Sequence, residues 1–420
     1  MKAILIVSTT YILIAIVSAL LYIPKFRQIA GAKIKSPRYK ASCKRRIGIV
    51  IPARDESQTI GELIQSIKAQ DYSKENFKVF VIVKDSTDKT IELVKEIGAS
   101  VFICPDQTCK GDALHYFFEN VDKTNYESID AFVLVDADAV LAKDYLTELN
   151  NAFESNADII VTKKLIKNYL GKQFQSVICN CSALIYPIND ELGNLYRQTK
   201  NIPLNMCGQG LAFRRSVIDR KGGWHYRTIT EDYQLKMDSL LEGFKSEYCP
   251  YACIYTEEVL TASESYKRRL RWLTGVWQNT KLYSKKVKQK LKNDKSLKSC
   301  KFDYLYYSYA IILFAVDTVL TVICGLSLAV YFAIQSQFAW VFALLLLTLL
   351  PIFLLYVILL VFGIIAMVNY KEAFACLTAK DKFKTVLFMP IFLLQFVPIY
   401  IKGKLNSTKS NVWEKTKRFL

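Results

Sequence analysis

Two rhythms of apolar and polar positions divide the chain. Between residues 45 and 280 short apolar runs alternate with amphipathic stretches, whereas from residue 304 to 370 apolar positions follow one another with Asp317 as the single charge. Residues 47–51 form an apolar run that stops at Pro52 and predicts a buried strand. Ile60, Leu63, Ile64 and Ile67 recur at helical spacing and predict a helix over 59–70, with Thr59 or Ser57 as its cap. The pattern continues with a strand at 79–83, a helix at 90–97, a strand at 100–103, a helix at 112–118, and strands at 131–135 and 158–162. Alternation of this kind predicts an α/β domain whose sheet is mainly parallel and covered by helices on both faces.

The second rhythm is that of lipid. Residues 3–23 carry no charge over about 21 positions, close to the ~20 that span a bilayer. Further apolar runs cover about 305–334, 338–368 and 385–401. The first opens on Tyr304, Tyr306, Tyr307 and Tyr309, a pattern suited to the membrane interface, and contains Asp317. Pro351 lies inside the second, which reads as one kinked helix or two shorter ones. The third is short, holds Pro390 and Pro398, and reads as re-entrant or interfacial. The expected organisation is an anchor over 1–24, a globular domain over 45–280, a basic linker over 281–303, a membrane region over 304–401 and a basic tail over 402–420.

Charge sharpens this picture. The chain has 420 residues, is 52% hydrophobic and carries +18, which excludes intrinsic disorder. Segments 24–46, 281–301 and 402–418 together hold twenty-four basic and two acidic side chains, more net charge than the whole chain. All three adjoin apolar runs, so they read as juxtamembrane blocks facing anionic lipid and not as a nucleic-acid surface. One lysine precedes the first run and nine basic residues follow it. This bias predicts an uncleaved anchor in a multi-pass protein of the cell membrane, with its globular domain in the cytoplasm. Eleven cysteines at scattered spacings fit a reducing compartment, and with only His115 and His225 no histidine-based metal site or relay is expected.

Ligands of such sheets bind beyond the carboxyl ends of the strands. The polar segments there are Pro52-Ala53-Arg54-Asp55-Glu56, Lys84-Asp85 with Ser86-Thr87-Asp88, and Asp136-Ala137-Asp138. An Asp-x-Asp after a buried strand can offer oxygen ligands to Mg²⁺ or Mn²⁺, with substrate phosphates completing the shell; solvated acids at a strand end are the commoner meaning of the pair alone.

The order of motifs adds to this. Ile49-Val50-Ile51-Pro52-Ala53-Arg54-Asp55-Glu56, Ser86-Thr87-Asp88-Lys89-Thr90, Lys110-Gly111-Asp112-Ala113-Leu114, Val135-Asp136-Ala137-Asp138, Gly208-Gln209-Gly210-Leu211-Ala212-Phe213, Thr230-Glu231-Asp232 and Arg268-Arg269-Leu270-Arg271-Trp272 follow one another between apolar flanks. In this the chain resembles the membrane-bound family 2 glycosyltransferases, the group of bacterial exopolysaccharide, cellulose and hyaluronan synthases. The closing Val412-Trp413-Glu414-Lys415-Thr416 resembles the tail of the exopolysaccharide-type members. The resemblance implies a GT-A domain with flanking transmembrane helices that uses a nucleotide sugar, usually a UDP-sugar. It implies that Pro52, Glu56 and Asp85 border the nucleotide, that Lys110 and Asp136 approach the donor, and that Asp138 binds the metal. It makes Asp232 the general base and sets Glu231, Arg268, Arg271 and Trp272 beside acceptor and diphosphate. Two positions depart from the family pattern. Lys84 stands where the family has Asp, and Arg268 stands where processive members have Gln.

The chemistry asks for such groups: cations against a leaving diphosphate, a carboxylate to take the acceptor proton, and alignment of both substrates on the anomeric carbon. A single base and direct displacement give inversion. The leading expectation is extension of a surface polysaccharide. The alternatives are transfer of one sugar to a lipid acceptor, or a non-catalytic partner that binds nucleotide or polymer. Thr230-Glu231-Asp232 also reads as an ordinary helix start, and Gly208-Gln209-Gly210 equally as a simple turn. Oligomeric state is open.

Overall fold

Strand β1 (Ile47–Ala53) is buried along its whole length, because it runs between β2 (Phe77–Val83) and β4 (Ala131–Leu134), parallel to both. The computed structural model describes residues 34–85, 89–170 and 176–408, with Thr9, Thr10 and Leu13. Apart from Thr9, Thr10 and Leu13, the expected anchor over 1–24 lies outside these residues, as do the tail motif at 412–416 and Ser86, Thr87 and Asp88. The side chains of Tyr306, Tyr307, Tyr309 and Asp317 lie outside them too.

Among the described residues, β3 (Ser100–Ile103), β5 (Val140–Leu141), β6 (Ile159–Ile166), β7 (Leu211–Arg214) and β8 (Ser246–Thr256) complete one sheet, in the order β3-β2-β1-β4-β7-β6-β8-β5. Its first half is parallel, as the alternation predicts. The second half is mixed: β7 runs antiparallel to both β4 and β6, and β5 antiparallel to β8. The sheet is therefore less uniformly parallel than expected. The reversal matters, because an antiparallel β7 brings its amino end, and the glycines before it, to the carboxyl end of β4.

Alternate side chains of the central strands feed two cores. Ile49 and Ile51 of β1, Val81 of β2 and Val133 of β4 face Ile60, Leu63, Ile64 and Ile67 of the Ile60–Lys68 helix. Val50, Phe80, Ile82, Phe132 and Leu134 face Ala113, Leu114 and Phe117 of the Lys110–Asn120 helix. This period-two division is what covers both faces with helices. Thr59 caps no helix amide; its hydroxyl donates instead to Glu56.

The chain leaves the sheet through a helix of 32 residues, Ala262–Asn293, so the first part of the basic stretch after residue 280 is helical. Lys298–Ile334 and Phe338–Asn369 follow and pack together. Phe338–Asn369 is one helix with Pro351 inside it. The third apolar run becomes two helices, Ala379–Leu394 and Phe396–Asn406, interrupted at Gln395. Pro398 sits in the first turn of the second, where its missing N–H is tolerated. Val319, Ile323, Val330, Phe342, Leu346 and Phe353 are exposed on the paired helices, an apolar surface larger than water-soluble proteins usually show. Among the described residues one helical stretch, Ala379–Asn406, is long and apolar enough to cross a membrane. The Val177–Pro187 helix joins the two regions: Cys179, Cys181 and Leu184 pack with Ala366, Phe374, Met389 and Phe392.

Candidate active site

The site is assembled at the carboxyl edge of the parallel strands. Asp136 follows β4, whose four residues are buried and whose next amide, that of Val135, donates to the Val50 carbonyl at 3.0 Å. Asp136 therefore leaves the sheet in a fixed direction. Lys110 opens the Lys110–Asn120 helix, whose start is fastened by Asp112. One carboxylate oxygen of Asp112 accepts from the amides of Thr108 (3.0 Å) and Cys109 (3.1 Å) and the other from Arg227 Nε (2.8 Å). Lys110 Nζ donates to Asp136 Oδ1 at 2.5 Å and to the Gly208 carbonyl at 3.0 Å, and lies 3.6 Å from Glu231 Oε1.

Glu231 and Asp232 begin the Glu231–Glu242 helix, so both sit at its positive end. Asp232 Oδ2 accepts from the Gly208 amide at 2.5 Å and Oδ1 from the Tyr233 amide at 2.7 Å. Thr230 occupies the cap position, but its hydroxyl accepts from Asn279 Nδ2 (3.1 Å) and not from a helix amide. Gly208 has no room for a side chain. A β-carbon there would stand 2.8 Å from Glu231 Oε1 and 3.0 Å from Lys110 Nζ. Gly210, with φ of 69°, turns the chain into β7, and its amide donates to the Leu134 carbonyl at 2.9 Å. Gln209 between them is buried, and its Nε2 meets no acceptor among the described residues.

The electrostatics follow from this crowding. Burial pushes Glu231 up to about 7 against the pull of Lys110, with Asp232 adding to the push. Burial also raises Asp232, which its hydrogen bonds from the Tyr233 and Gly208 amides and the charge of Lys110 partly offset. For Lys110 burial works against the ammonium, yet Asp136 and Glu231 outweigh it and hold the group above its ordinary range. The result is a cluster of three carboxylates, Asp136, Glu231 and Asp232, around one ammonium.

The Ala262–Asn293 helix packs against the Glu231–Glu242 helix. Gly275 packs directly on Thr230, and a β-carbon at Gly275 would overlap the threonine side chain. Burial and the neighbouring Arg268 hold Arg271 below its ordinary value, while Glu231, Asp136 and Asp232 pull the other way. Trp272 is partly exposed, with the Arg269 guanidinium 5.6 Å from its ring. Trp277, one turn further, is a packing residue that donates to the Tyr400 carbonyl at 3.1 Å. Arg268 turns to Glu258: its Nη1 lies 3.1 Å from Glu258 Oε1 and 3.1 Å from the Glu257 carbonyl.

The expected site residues thus fall into groups. Lys110, Asp136, Glu231 and Asp232 come together, with Arg271 close enough for its charge to be felt. Pro52 is buried in β1 opposite Ile82, Glu56 is buried against Thr59, and Asp85 is exposed beyond β2. Asp138 is buried two residues past Asp136, its carbonyl accepting from Lys167 Nζ at 3.3 Å. Among the described residues no three His, Cys, Asp or Glu side chains gather as a metal cage. One carboxylate fits a Mg²⁺ or Mn²⁺ that shares its shell with a diphosphate, the usual arrangement for such ions. His115 and His225 bond to the Trp224 and Lys221 carbonyls. Glu258, Asn279 and Gly275 escape sequence reasoning. The only signal was the acid pair Glu257-Glu258 just before the helix that carries the arginines.

The pattern described as glycosyl transferase family group 2 matches residues 131–396, well over half of the chain. A beta-monoglucosyldiacylglycerol synthase of Nostoc sp. is 25% identical over 240 residues, 55% of this chain and 49% of the synthase. The probable glycosyltransferase YdaM of Bacillus subtilis is 24% identical over 304 residues, 69% of this chain and 68% of that protein. The chain thus matches about half the length of the first of these relatives and about two thirds of the second. In fold, the mannosyltransferase PcManGT of Pyrobaculum calidifontis, solved with GDP-Man and Mn2+, superposes with a TM-score of 0.55 at 15% identity, covering 96% of this chain and 99% of that one.

Proposed function

The chain belongs to glycosyl transferase family group 2 and is a glycosyltransferase of GT-A-like fold; on that premise we propose that it transfers one sugar, with inversion, from a nucleotide sugar to a hydroxyl of a membrane-lipid acceptor. The observation that carries this reading is the acid cluster around Lys110, felt by the charge of Arg271 on a helix that leads into apolar, outward-facing helices. An acceptor held in the bilayer reaches the base from that side. The relatives named as glycolipid synthases favour the lipid acceptor over the polysaccharide that the motifs alone put first.

In this reading Asp232 takes the proton of the acceptor hydroxyl as its oxygen bonds to the anomeric carbon. The bond from that carbon to the diphosphate oxygen breaks with its electrons, and an α-linked donor gives a β-linked product. The Gly208 and Tyr233 amides aim the carboxylate. Burial makes it more basic than an exposed aspartate, which suits it to accept a proton. Lys110 and Arg271 supply positive charge beside the leaving group. The 52–56 loop and Asp85 border the nucleotide, Asp136 approaches the donor sugar, and Trp272 offers an aromatic face to the acceptor. When bound, a Mg²⁺ or Mn²⁺ ion on Asp138 supplies further neutralisation of the diphosphate. The basic blocks beside the apolar runs support a reading in which this domain lies on the cytoplasmic side of a multi-pass cell-membrane protein.

The test is a panel of nucleotide sugars offered to the purified full chain in detergent with bacterial lipids, with and without Mn²⁺. Release of nucleoside diphosphate together with one labelled, organic-soluble glycolipid supports the reading. Long labelled chains would replace the lipid acceptor with a polymer, and no release from any donor would overturn transfer itself.

A further inference from the structure

Glu258 is fully buried at the junction between β8 and the Ala262–Asn293 helix. Its carboxylate accepts from Ser182 Oγ and Tyr186 Oη, each at 2.5 Å, and pairs with Arg268 at 3.1 Å. Its backbone is held as well, since Glu258 N donates to Asn168 Oδ1 (2.8 Å) and its carbonyl accepts from Asn168 Nδ2 (3.0 Å). Arg269, also fully buried, donates to the same Ser182 Oγ at 2.7 Å and to Ser265 Oγ at 2.6 Å. Its guanidinium lies 4.7 Å from the Phe392 ring and 5.7 Å from Phe396, on either side of the break at Gln395. Two consecutive arginines are thus tied to one carboxylate, Arg268 directly and Arg269 through Ser182.

A carboxylate and two guanidiniums do not enter a dry interior for stability alone, since apolar side chains of like volume do as well or better there. What such a cluster provides is a single fixed geometry. Arg271 and Trp272 lie three and four residues beyond Arg268, one helical turn away. Any roll of this helix moves them relative to Asp232. The cluster also neutralises Arg268, whose charge acts on Arg271.

We infer that Glu258 is a positioning residue which, paired with Arg268, locks the roll of the Ala262–Asn293 helix and so sets Arg271 and Trp272 over the acid cluster. Arg268 and Glu258 then form one unit. The catalytic part of this inference rests on the proposed transfer; the lock itself does not.

The test is a double-mutant cycle in the full chain in detergent with Glu258→Gln, Arg268→Gln and the double variant. Each single change leaves a buried charge without its partner, whereas the double removes both. Each single is expected to lower the unfolding midpoint by several degrees and to speed trypsin cleavage after Arg271; the double recovers both. With a donor turned over by the wild type, each single lowers kcat on the order of tenfold to a hundredfold while the donor KM stays within about twofold, and the double regains most of kcat. Additive losses in midpoint and cleavage overturn the lock, whether or not any donor is used. Recovery of midpoint and cleavage in the double with kcat unchanged in the singles overturns the positioning role. A wild type that uses no donor refutes the proposed function alone, and the cleavage pattern still decides whether the pair holds Arg271 in place.

Discussion

Gly275 rests so closely on the side chain of Thr230, the residue before the helix beginning at Glu231, that the helix carrying Arg271 and Trp272 has no room for a β-carbon at that point. Asn279, one turn along, bonds both the carbonyl and the hydroxyl of Thr230 at 3.1 Å. The helix of Arg271 and the helix of Asp232 are thereby held against one another. Gly275→Ala separates two forces. Helix propensity alone favours alanine by about 0.8–1.0 kcal/mol, while forcing a methyl group into close packing costs about 1–3 kcal/mol. The overlap decides, so the variant is expected to melt lower than wild type and to lose most of its activity. A higher melting point with full activity would show that the contact is not tight.

Lys110 is expected to govern the pH dependence of the proposed transfer. Its ammonium pulls Glu231 and Asp232 down against the upward push of burial. Without it both carboxylates hold their protons to higher pH. Lys110→Gln should move the acid limb of the kcat/KM profile toward higher pH, with more activity lost at pH 6 than at pH 8. A profile that only falls in height would deny the lysine this role.

The same burial has a signature in stability. Glu231 titrates at 4.5 in ordinary surroundings and at about 7 here. Between those values the folded chain binds more protons than the unfolded one, so stability falls as pH rises through the window. Below it the penalty is absent, and above it the penalty is complete. Glu231→Gln removes the titration. The thermal midpoint of the variant relative to wild type should therefore climb from pH 5 to pH 8, and a constant offset would contradict the assignment.

How much of this was legible in the sequence depended on how each strand is buried. β1, β4 and residues 79–83 of β2 lie in the middle of the sheet and read as apolar runs. β7 was hidden because its four residues follow a glycine turn that forms half of the site. β8 was hidden by Pro250 and its mixed composition. The proline is tolerated where the register against β6 slips, from Thr162 opposite Cys249 to Lys163 opposite Cys253. At the site, the motif order picked out Lys110, Asp136, Glu231 and Asp232. Nothing in it exposed Glu258, Asn279 or Gly275, whose importance lies in contacts between segments far apart in the chain.

Asp138 should control metal use separately from the base. Asp138→Asn is expected to raise the Mn²⁺ concentration for half-maximal nucleotide release at least about tenfold, as loss of a ligand does, and chelation should stop the wild type reversibly. An unchanged Mn²⁺ titration in the variant would move the ion to other ligands.

The central claim, that Asp232 takes the acceptor proton, is tested most directly by Asp232→Asn in the full chain, measuring donor binding and transfer side by side. Loss of a general base typically costs about 10²–10⁴-fold in rate. The account predicts transfer slowed by at least about a hundredfold while affinity for the donor stays within about threefold. Transfer within about tenfold of wild type, at unchanged donor affinity, would contradict it.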